Sequence, residues 1–264
     1  MEKLEIKSRS GPRIVVVLDK SPRQKGLAIV MHGLGGFKEQ SHIQTFADAF
    51  KENEFTVITF DARHTFGESE GKYEDATTTN YLQDLEDVIN WAKSQDFYEK
   101  PYLVGHSLGG FSIALYAEKN PKDVIALALI STVVSGKLSL ESPKIKENLQ
   151  EWNRTGWKIS ASASKPGLIK KLKWHQFNDD KLKYDLLQNA DKLEMPVLLI
   201  VGEKDQTTPV EHQQILFDAL PGKIELNIIE GAPHTFRDED HLREIKDILL
   251  KWIYSTQNEM IEQK

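Results

Sequence analysis

Residues 102–110 read YLVGHSLGG, and the rest of the sequence is best interpreted outward from this stretch. The first three residues form a short apolar run typical of a buried strand, and Phe111–Lys119 continues with a helical pattern that Asn120-Pro121 closes. Gly105–Gly109 fits G-x-S-x-G, a sharp strand-to-helix turn that exposes a serine. The five residues alone also fit a glycine-rich turn with an incidental serine. The flanking strand and helix favour Ser107 as a nucleophile.

Similar apolar runs recur along the chain and indicate strands covered on both faces. They are Ile14–Leu18, Leu27–Met31, Thr56–Phe60, Val124–Ile130 and Val197–Val201, followed by the alternating run Ile224–Ile228 of a half-exposed strand. Apolar stripes with helical period lie between them, at Ile43–Phe50, Leu82–Ala92 and Leu242–Ile253. This alternation predicts an α/β fold with a mostly parallel sheet and helices on both faces. Because Asp19–Gly26 is too short for a crossover helix, we expect the first two runs to form an antiparallel hairpin.

Residues 134–193 have no clear strand pattern, although strong strand candidates flank them. We therefore predict a helical cap inserted into a core formed by residues 1–133 and 194–264. Four large aromatic residues of the cap are candidates for a substrate pocket, or equally for packing the cap onto the core: Trp152, Trp157, Trp174 and Phe177. The lysine-rich stretch Lys165–Lys173 is interpreted as a solvated helix face, with an anion site as the alternative.

A serine hydroxyl needs a general base, which in turn needs an orienting group. In the strand–turn–helix setting above, the chain order is serine, acid, histidine. The strand at Val197–Val201 leads into Asp205, at the sheet edge where open α/β sheets place their sites. The next strand leads into His234. We predict Asp205 as the acid and His234 as the base, with Glu203 as the alternative acid.

The negative charge that develops during acyl transfer requires two backbone N–H donors. One is expected from Leu108, directly after the serine, and the other from the glycine-rich loop His32–Gly36 after an early strand. Leu34 is the predicted second donor, with Gly35 as the alternative. This loop lacks the G-K-[ST] and G-x-G-x-x-G patterns of phosphate cradles, so we set that interpretation aside.

Composition limits the partners. The 264 residues include 34 Lys+Arg and 40 Asp+Glu, a net charge of −6 that argues against nucleic acid as the main partner. The sequence has no cysteine, which excludes disulfides and thiolate chemistry. The charged start at residues 1–7 and the short apolar runs predict a cytoplasmic protein without signal peptide or membrane partner. No metal-binding spacing appears, so we expect no metal and no cofactor. The sequence does not indicate an oligomeric state.

Several motifs together resemble the α/β-hydrolase superfamily over nearly the whole chain. They are His32–Gly36, Asp61–Arg63, Gly67–Gly71, Gly105–Gly109, Gly202–Asp205 and Pro233-His234. Within the superfamily, the sequence is similar to compact serine esterases related to cinnamoyl (feruloyl) esterases and to serine aminopeptidase-like acylglycerol hydrolases. The resemblance implies an eight-stranded sheet and a small cap between the sixth and seventh strands. These families usually read D-x-R-G-H-G-x-S-x-G after the fourth strand, but here His64-Thr65-Phe66 replaces the Gly-His pair.

These residues predict a hydrolase that cleaves small carboxylic esters through an acyl-enzyme, with short or medium acyl chains or aromatic acids as its substrates. An acyl-thioesterase and an aminopeptidase-like peptidase would use the same three side chains, so the motifs do not separate them. A non-catalytic binding protein with this fold is a further alternative. Such proteins usually lose a member of the triad, whereas all three candidates are present here.

Overall fold

The computed structural model describes residues 1–162 and 164–262. The strands are β1 (Glu2–Lys7), β2 (Arg13–Asp19), β3 (Leu27–Met31), β4 (Thr56–Asp61), β5 (Pro101–His106), β6 (Ala126–Ile130), β7 (Trp157–Ala161), β8 (Ile169–Lys173), β9 (Val197–Gly202) and β10 (Ile224–Ile229). The helices are α1 (Ser41–Glu52), α2 (Thr78–Lys93), α3 (Leu108–Lys119), α4 (Gly136–Ser139), α5 (Pro143–Thr155), α6 (Trp174–Lys181), α7 (Val210–Ala219) and α8 (Glu239–Glu262).

Eight strands form one sheet in the order β1-β2-β4-β3-β5-β6-β9-β10. All neighbours from β4 to β10 are parallel, whereas β2 is antiparallel to both β1 and β4. This arrangement confirms the predicted α/β-hydrolase fold with a mostly parallel eight-stranded sheet. It also brings the carboxyl ends of β3, β5, β9 and β10 to the same edge, where the candidate site lies.

Two apolar clusters explain why the central strands are continuous apolar runs. In β3, Leu27, Ile29 and Met31 pack into the cluster that contains residues of α2 and α3. The alternate residues Ala28 and Val30 pack into the cluster that contains residues of α1 and α8. Helices therefore cover both faces of the sheet, and both alternating sets of side chains in a central strand must be apolar.

The predicted hairpin between the first two apolar runs is wrong. The strand β2 pairs with β1 and β4, and β4 lies between β2 and β3. The antiparallel hairpin at the start of the chain is formed instead by β1 and β2. The strand β1 was not predicted because only Ile6 is buried in its charged sequence EKLEIK, which leaves no apolar run.

The segment between β6 and β9 contains the predicted helices, together with an antiparallel hairpin of β7 and β8 that was not predicted. Three of the five residues of β8 are lysines, so this strand has no apolar signature. The interpretation of Lys165–Lys173 as a helix face is therefore wrong, because most of this stretch is strand. No helix within residues 1–162 and 164–262 combines the length and apolar character needed to cross a membrane.

Candidate active site

Ser107 lies at the tight turn between β5 and α3, with φ of 55° and ψ of −117°. A non-glycine residue with positive φ is strained and persists only where the surrounding structure fixes it. Two glycines make the turn possible. A Cβ at Gly105 would lie 2.6 Å from the carbonyl carbon of Gly109, and a Cβ at Gly109 would lie 2.5 Å from the carbonyl oxygen of His32. The turn therefore raises the Ser107 side chain at the carboxyl end of β5.

The side chains of Ser107, His234 and Asp205 form a continuous hydrogen-bonded chain. His234 Nε2 lies 3.0 Å from Ser107 Oγ, and His234 Nδ1 lies 2.8 Å from Asp205 Oδ2. Asp205 follows β9 and His234 follows β10, which is parallel to β9. Because an ionised carboxylate only accepts hydrogen bonds, Nδ1 carries the proton and Nε2 is free to accept one from the serine.

Asp205 is held as a carboxylate by three neighbouring residues. Its Oδ1 accepts the backbone N–H groups of Thr207 at 2.8 Å and Thr208 at 2.9 Å. Burial acts to raise the pKa of Asp205, but His234 and the hydrogen bonds from Thr208 outweigh it and hold this pKa well below its usual range. The alternative acid, Glu203, is exposed and accepts the N–H of Gly231 at 2.8 Å instead.

His106, next to the serine, supports the backbone of the base. Its Nε2 lies 2.9 Å from the carbonyl oxygen of His234, which can only accept, so Nε2 is the donor. Burial, and then the proximity of His234, lower the pKa of His106 to about 3, which keeps the ring neutral. The ring also packs against that of His42, with centroids 4.7 Å apart. His106 therefore fixes where His234 sits.

The loop after β3 is braced by Tyr81 of α2. The Tyr81 hydroxyl donates to the carbonyl of Gly33 at 3.1 Å and accepts the N–H of Gly35 at 3.1 Å. Gly35, the alternative oxyanion donor, is thereby occupied. The N–H groups of Leu34 and Leu108 have no acceptor in the part of the chain that the structure describes. Both residues line the same cavity as Ser107, so these two amides remain available for an oxyanion.

The departure from the family pattern after β4 has a backbone explanation. His64 has φ of 58°, a left-handed conformation that favours glycine, and it stands where the D-x-R-G-H-G-x-S-x-G pattern described above has glycine. Its ring lies 3.1 Å, through Nδ1, from the carbonyl oxygen of Lys72. The following Phe66 stacks on Tyr73, with ring centroids 4.6 Å apart. The longer loop therefore places Phe66 against Tyr73, which lines the cavity.

Three carboxylates beneath this loop resemble a metal site but hold a lysine. One carboxylate oxygen each from Glu39, Asp61 and Glu68 lie within 4.8 Å of one another. The ammonium of Lys38 sits among them, at 2.7 Å from Glu39, 2.7 Å from Asp61 and 2.6 Å from Glu68. The positive charge that such a group would attract is therefore already supplied by the chain.

A cavity of about 270 Å³ opens onto Ser107 and His234. Trp152 and Phe177, two of the four aromatic residues proposed for the pocket, line it. The wall also contains five cationic side chains, from Lys144, Lys158, Lys170, Lys181 and Arg237. Of these five, only Lys170 belongs to the stretch Lys165–Lys173, for which the sequence gives an anion site as the alternative. The other four had no sequence signal, because their approach to Ser107 depends on how the cap folds.

The expectation for Trp157 and Trp174 is wrong, since neither belongs to the cavity wall. Trp174 is fully buried inside the cap, where its Nε1 donates to Asn153 Oδ1 at 2.7 Å. Trp157 lies on the other face of the β7–β8 hairpin, with the Lys171 ammonium 4.0 Å from its ring centroid. Trp174 therefore packs within the cap, whereas Trp157 is half-buried beside Lys171.

Comparison of the sequence and the fold with those of known proteins identifies relatives of this chain. The chain is 29% identical over 224 residues to the Escherichia coli "Uncharacterized 31.7 kDa protein in traX-finO intergenic region", covering 74% of this chain and 77% of that protein. It is 25% identical over 260 residues to "Putative esterase/lipase 2" of Mycoplasma genitalium, covering 89% and 94%.

The structure of Est1E from Butyrivibrio proteoclasticus with bound ferulic acid superposes with a TM-score of 0.82 at 23% identity, covering 96% of this chain and 98% of that one. The sequence profile of the family described as "Serine aminopeptidase, S33" matches residues 22–241. This chain therefore belongs to the serine aminopeptidase S33 family of hydrolases with the α/β-hydrolase fold.

Proposed function

We propose that this protein hydrolyses small carboxylic esters through an acyl-enzyme on Ser107. The observation that carries the proposal is the hydrogen-bonded chain from Asp205 through His234 to Ser107, which ends at a cavity beside two unoccupied backbone N–H groups. A nucleophile, its base, an orienting acid and oxyanion donors are the four parts that acyl transfer requires.

In the first half of the reaction, Ser107 Oγ attacks the ester carbonyl carbon while its proton passes to His234 Nε2. The carbonyl oxygen becomes an oxyanion, which accepts the N–H groups of Leu34 and Leu108. The tetrahedral intermediate then collapses. The bond to the alcohol oxygen breaks, and His234 returns the proton to that oxygen, so a neutral alcohol leaves and the acyl group remains on Ser107.

In the second half, a water molecule takes the place of the alcohol. His234 Nε2 removes a proton from the water as the water oxygen attacks the acyl carbon, and the same N–H groups hold the second oxyanion. Collapse breaks the bond to Ser107 Oγ, which regains its proton from His234. The carboxylic acid is released and the side chains return to their starting protonation states.

The cavity supports an ester of a small acid over a peptide. An aminopeptidase must bind the positively charged amino terminus of its substrate, which calls for a carboxylate. No aspartate or glutamate is among the wall residues within the described ranges, and cationic residues are present instead. The volume of about 270 Å³ lies just below the usual range for ligand pockets, which suits a short acyl chain or an aromatic acid. Two similar proteins, "Putative esterase/lipase 2" and Est1E with bound ferulic acid, support the same choice.

The decisive experiment combines covalent labelling with turnover. A fluorophosphonate probe should attach to the native chain, and p-nitrophenyl butyrate and methyl ferulate should be hydrolysed. Ser107→Ala should abolish labelling and nearly all turnover. The matched control is Ser112→Ala, which removes another buried serine from the helix that follows the same turn, outside the cavity wall. This control should label and turn over like the native chain.

The substrate range follows from the same assay. The kcat/KM values for p-nitrophenyl esters from C2 to C16 should peak at short or medium chains, and an emulsified triglyceride should produce no jump in rate. Labelling that survives Ser107→Ala would overturn the nucleophile. A maximum at C16 would overturn the substrate class, and faster cleavage of a thioester than of the matched oxygen ester would replace the esterase with a thioesterase.

A further inference from the structure

The wall of the cavity is opposite in charge to the chain as a whole. The sequence contains 40 acidic residues against 34 Lys+Arg, yet the wall contains five cations and, within residues 1–162 and 164–262, no carboxylate. Like charges that face one cavity repel one another, and the low dielectric of a partly closed site strengthens this repulsion. This repulsion destabilises the empty site, and a bound ligand of opposite charge would offset it.

The buried lysines of this protein fall into two types. Lys38 is 1% exposed and contacts three carboxylates. Lys181 is 3% exposed, but no carboxylate in the described part of the chain lies within ion-pair distance of it. Its ammonium lies 5.7 Å from the ring centroid of Trp174 and 5.6 Å from that of Phe177. Buried charges are ordinarily paired, so Lys181 is the exception that needs explaining.

The β7–β8 hairpin delivers two more cations to the same wall. Lys158 pairs in register with Leu172, and Ser160 pairs with Lys170, so these four side chains share one face of the hairpin. Three of the four, Lys158, Ser160 and Lys170, line the cavity. Lys171 projects from the opposite face toward Trp157. The cavity-facing side of the hairpin is therefore cationic and polar.

These cations are close enough to influence one another. Burial, followed by the charges of Lys170 and Lys144, lowers the pKa of Lys158 to about 8. Burial, followed by Lys158, lowers the pKa of Lys181 to about 7. Burial and Arg237 lower the pKa of Lys170. A negative charge placed among them would act against these effects by raising the pKa of each lysine.

Resting on the proposed function, we infer that the substrate carries an anionic group, a carboxylate or a phosphate, which Lys158, Lys170 and Lys181 bind while its ester lies at Ser107. Lysine ammonium groups bind both kinds of oxyanion through charge-assisted hydrogen bonds. The apolar side chains of Trp152 and Phe177 on the same wall contact the hydrocarbon part. The cavity therefore suits an amphipathic ester with one charged end.

A packing role could explain Lys181 alone, because the aliphatic part of a lysine side chain covers apolar surface readily. It does not explain Lys158 and Lys170, which are half-buried and face the cavity from neighbouring strands. The test must therefore separate charge from side-chain volume.

Three aryl butyrates that differ only at the para position supply the test: 4-butyryloxybenzoate, 4-butyryloxyphenyl phosphate and the neutral methyl 4-butyryloxybenzoate. The measured quantity is the ratio of kcat/KM for an anionic ester to that for the neutral ester. Intrinsic reactivities cancel when this ratio is compared between the native chain and a variant. Lys158→Gln and Lys170→Gln should each lower the ratio about tenfold, the usual effect of losing one hydrogen bond to a charged group.

Two control variants separate the charge of the cavity lysines from the effect of changing any lysine of this hairpin. Lys170→Arg retains the charge and should preserve the ratio, and Lys171→Gln changes the neighbouring lysine on the opposite face and should leave it unchanged. The para group whose ratio falls more identifies the anion as carboxylate or phosphate. Ratios that stay within twofold of the native value in both Lys158→Gln and Lys170→Gln would overturn the inference.

A binding measurement separates this inference from the proposed function. Calorimetry with the Ser107→Ala chain needs no turnover and compares 4-hydroxybenzoate and 4-hydroxyphenyl phosphate with neutral methyl 4-hydroxybenzoate. Tighter binding of an anion, lost when Lys158→Gln is added, supports the anion site even if no ester is cleaved. Equal binding of all three compounds overturns the anion site, although esterase activity could still be found.

Discussion

Replacing Asp205 with asparagine should inactivate the protein by reversing the tautomer of His234. Asp205 Oδ1 accepts two backbone N–H groups, from Thr207 and Thr208, while Oδ2 faces His234 Nδ1 at 2.8 Å. Asparagine has a single acceptor oxygen, which the two N–H groups require, so its NH₂ group must face His234. Nδ1 then becomes an acceptor and the ring proton moves to Nε2. That nitrogen, 3.0 Å from Ser107 Oγ, can no longer take the serine proton.

The size of the loss follows from the same geometry. The equivalent change in a serine protease lowers kcat about 10⁴-fold with the structure intact. At about 1.36 kcal/mol per factor of ten, this corresponds to roughly 5.4 kcal/mol of transition-state stabilisation. We expect a loss of this order here because Asp205 is likewise buried and hydrogen-bonded to Nδ1 of the histidine. The N–H groups of Thr207 and Thr208 keep an acceptor, so the loop after β9 should remain folded.

The assay is kcat for p-nitrophenyl butyrate, with thermal unfolding measured in parallel. Glu203→Gln is the matched control, because Glu203 lies in the same loop. Among the described residues, its carboxylate accepts a hydrogen bond only from the N–H of Gly231. This variant should retain near-native kcat. A folded Asp205→Asn protein within about tenfold of native activity would refute the tautomer argument. A large loss in Glu203→Gln with a small one in Asp205→Asn would identify Glu203 as the acid.

Two further predictions concern Tyr81 and Glu118. Tyr81→Phe removes the hydroxyl that braces the loop after β3, and should lower kcat about tenfold with little change in KM, since the oxyanion donors act in the transition state. The control is Tyr102→Phe, because Tyr102 is another buried tyrosine and its hydroxyl bonds Thr256. An unchanged kcat in Tyr81→Phe would contradict the role of Tyr81 as a brace. Burial raises the pKa of Glu118 from 4.5 to about 8, so the free energy of unfolding should fall as pH rises through this window. The free energy of unfolding of Glu118→Gln, relative to that of the native chain, should therefore be higher at pH 9 than at pH 4 by roughly 2–4 kcal/mol. A difference between variant and native chain in thermal unfolding that does not change with pH would disprove this.

The sequence predicted those parts of the fold that local chemistry determines. The strands β3, β5 and β9 were predicted because burial on both faces requires continuous apolar residues. The turn at Ser107 was predicted because its glycines leave no room for a Cβ. The structure also brings Ser107, Asp205 and His234 within hydrogen-bonding distance, as their order along the chain suggested. Their catalytic role remains a proposal.

The features that were not predicted depend on contacts between distant parts of the chain. The pairing of β2 with β4 spans the whole of β3 and α1, and neither strand alone encodes it. Tyr81 reaches Gly33 from a different helix, and Lys158 and Lys181 reach the cavity only after the cap has folded. The hairpin in the cap had no apolar run because its outer face carries lysines in contact with solvent. Side-chain patterns cannot report such contacts before the elements are arranged in space.

The cationic wall of the cavity has a consequence for the product of the proposed reaction. Each hydrolysed ester yields a carboxylic acid that is ionised at neutral pH, so the products together carry one more negative charge than the ester. On the proposed function, the lysines beside Ser107 attract this acid as they attract an anionic substrate. We therefore expect the acid to inhibit the reaction as it accumulates, so that the rate depends on how fast the acid is consumed elsewhere.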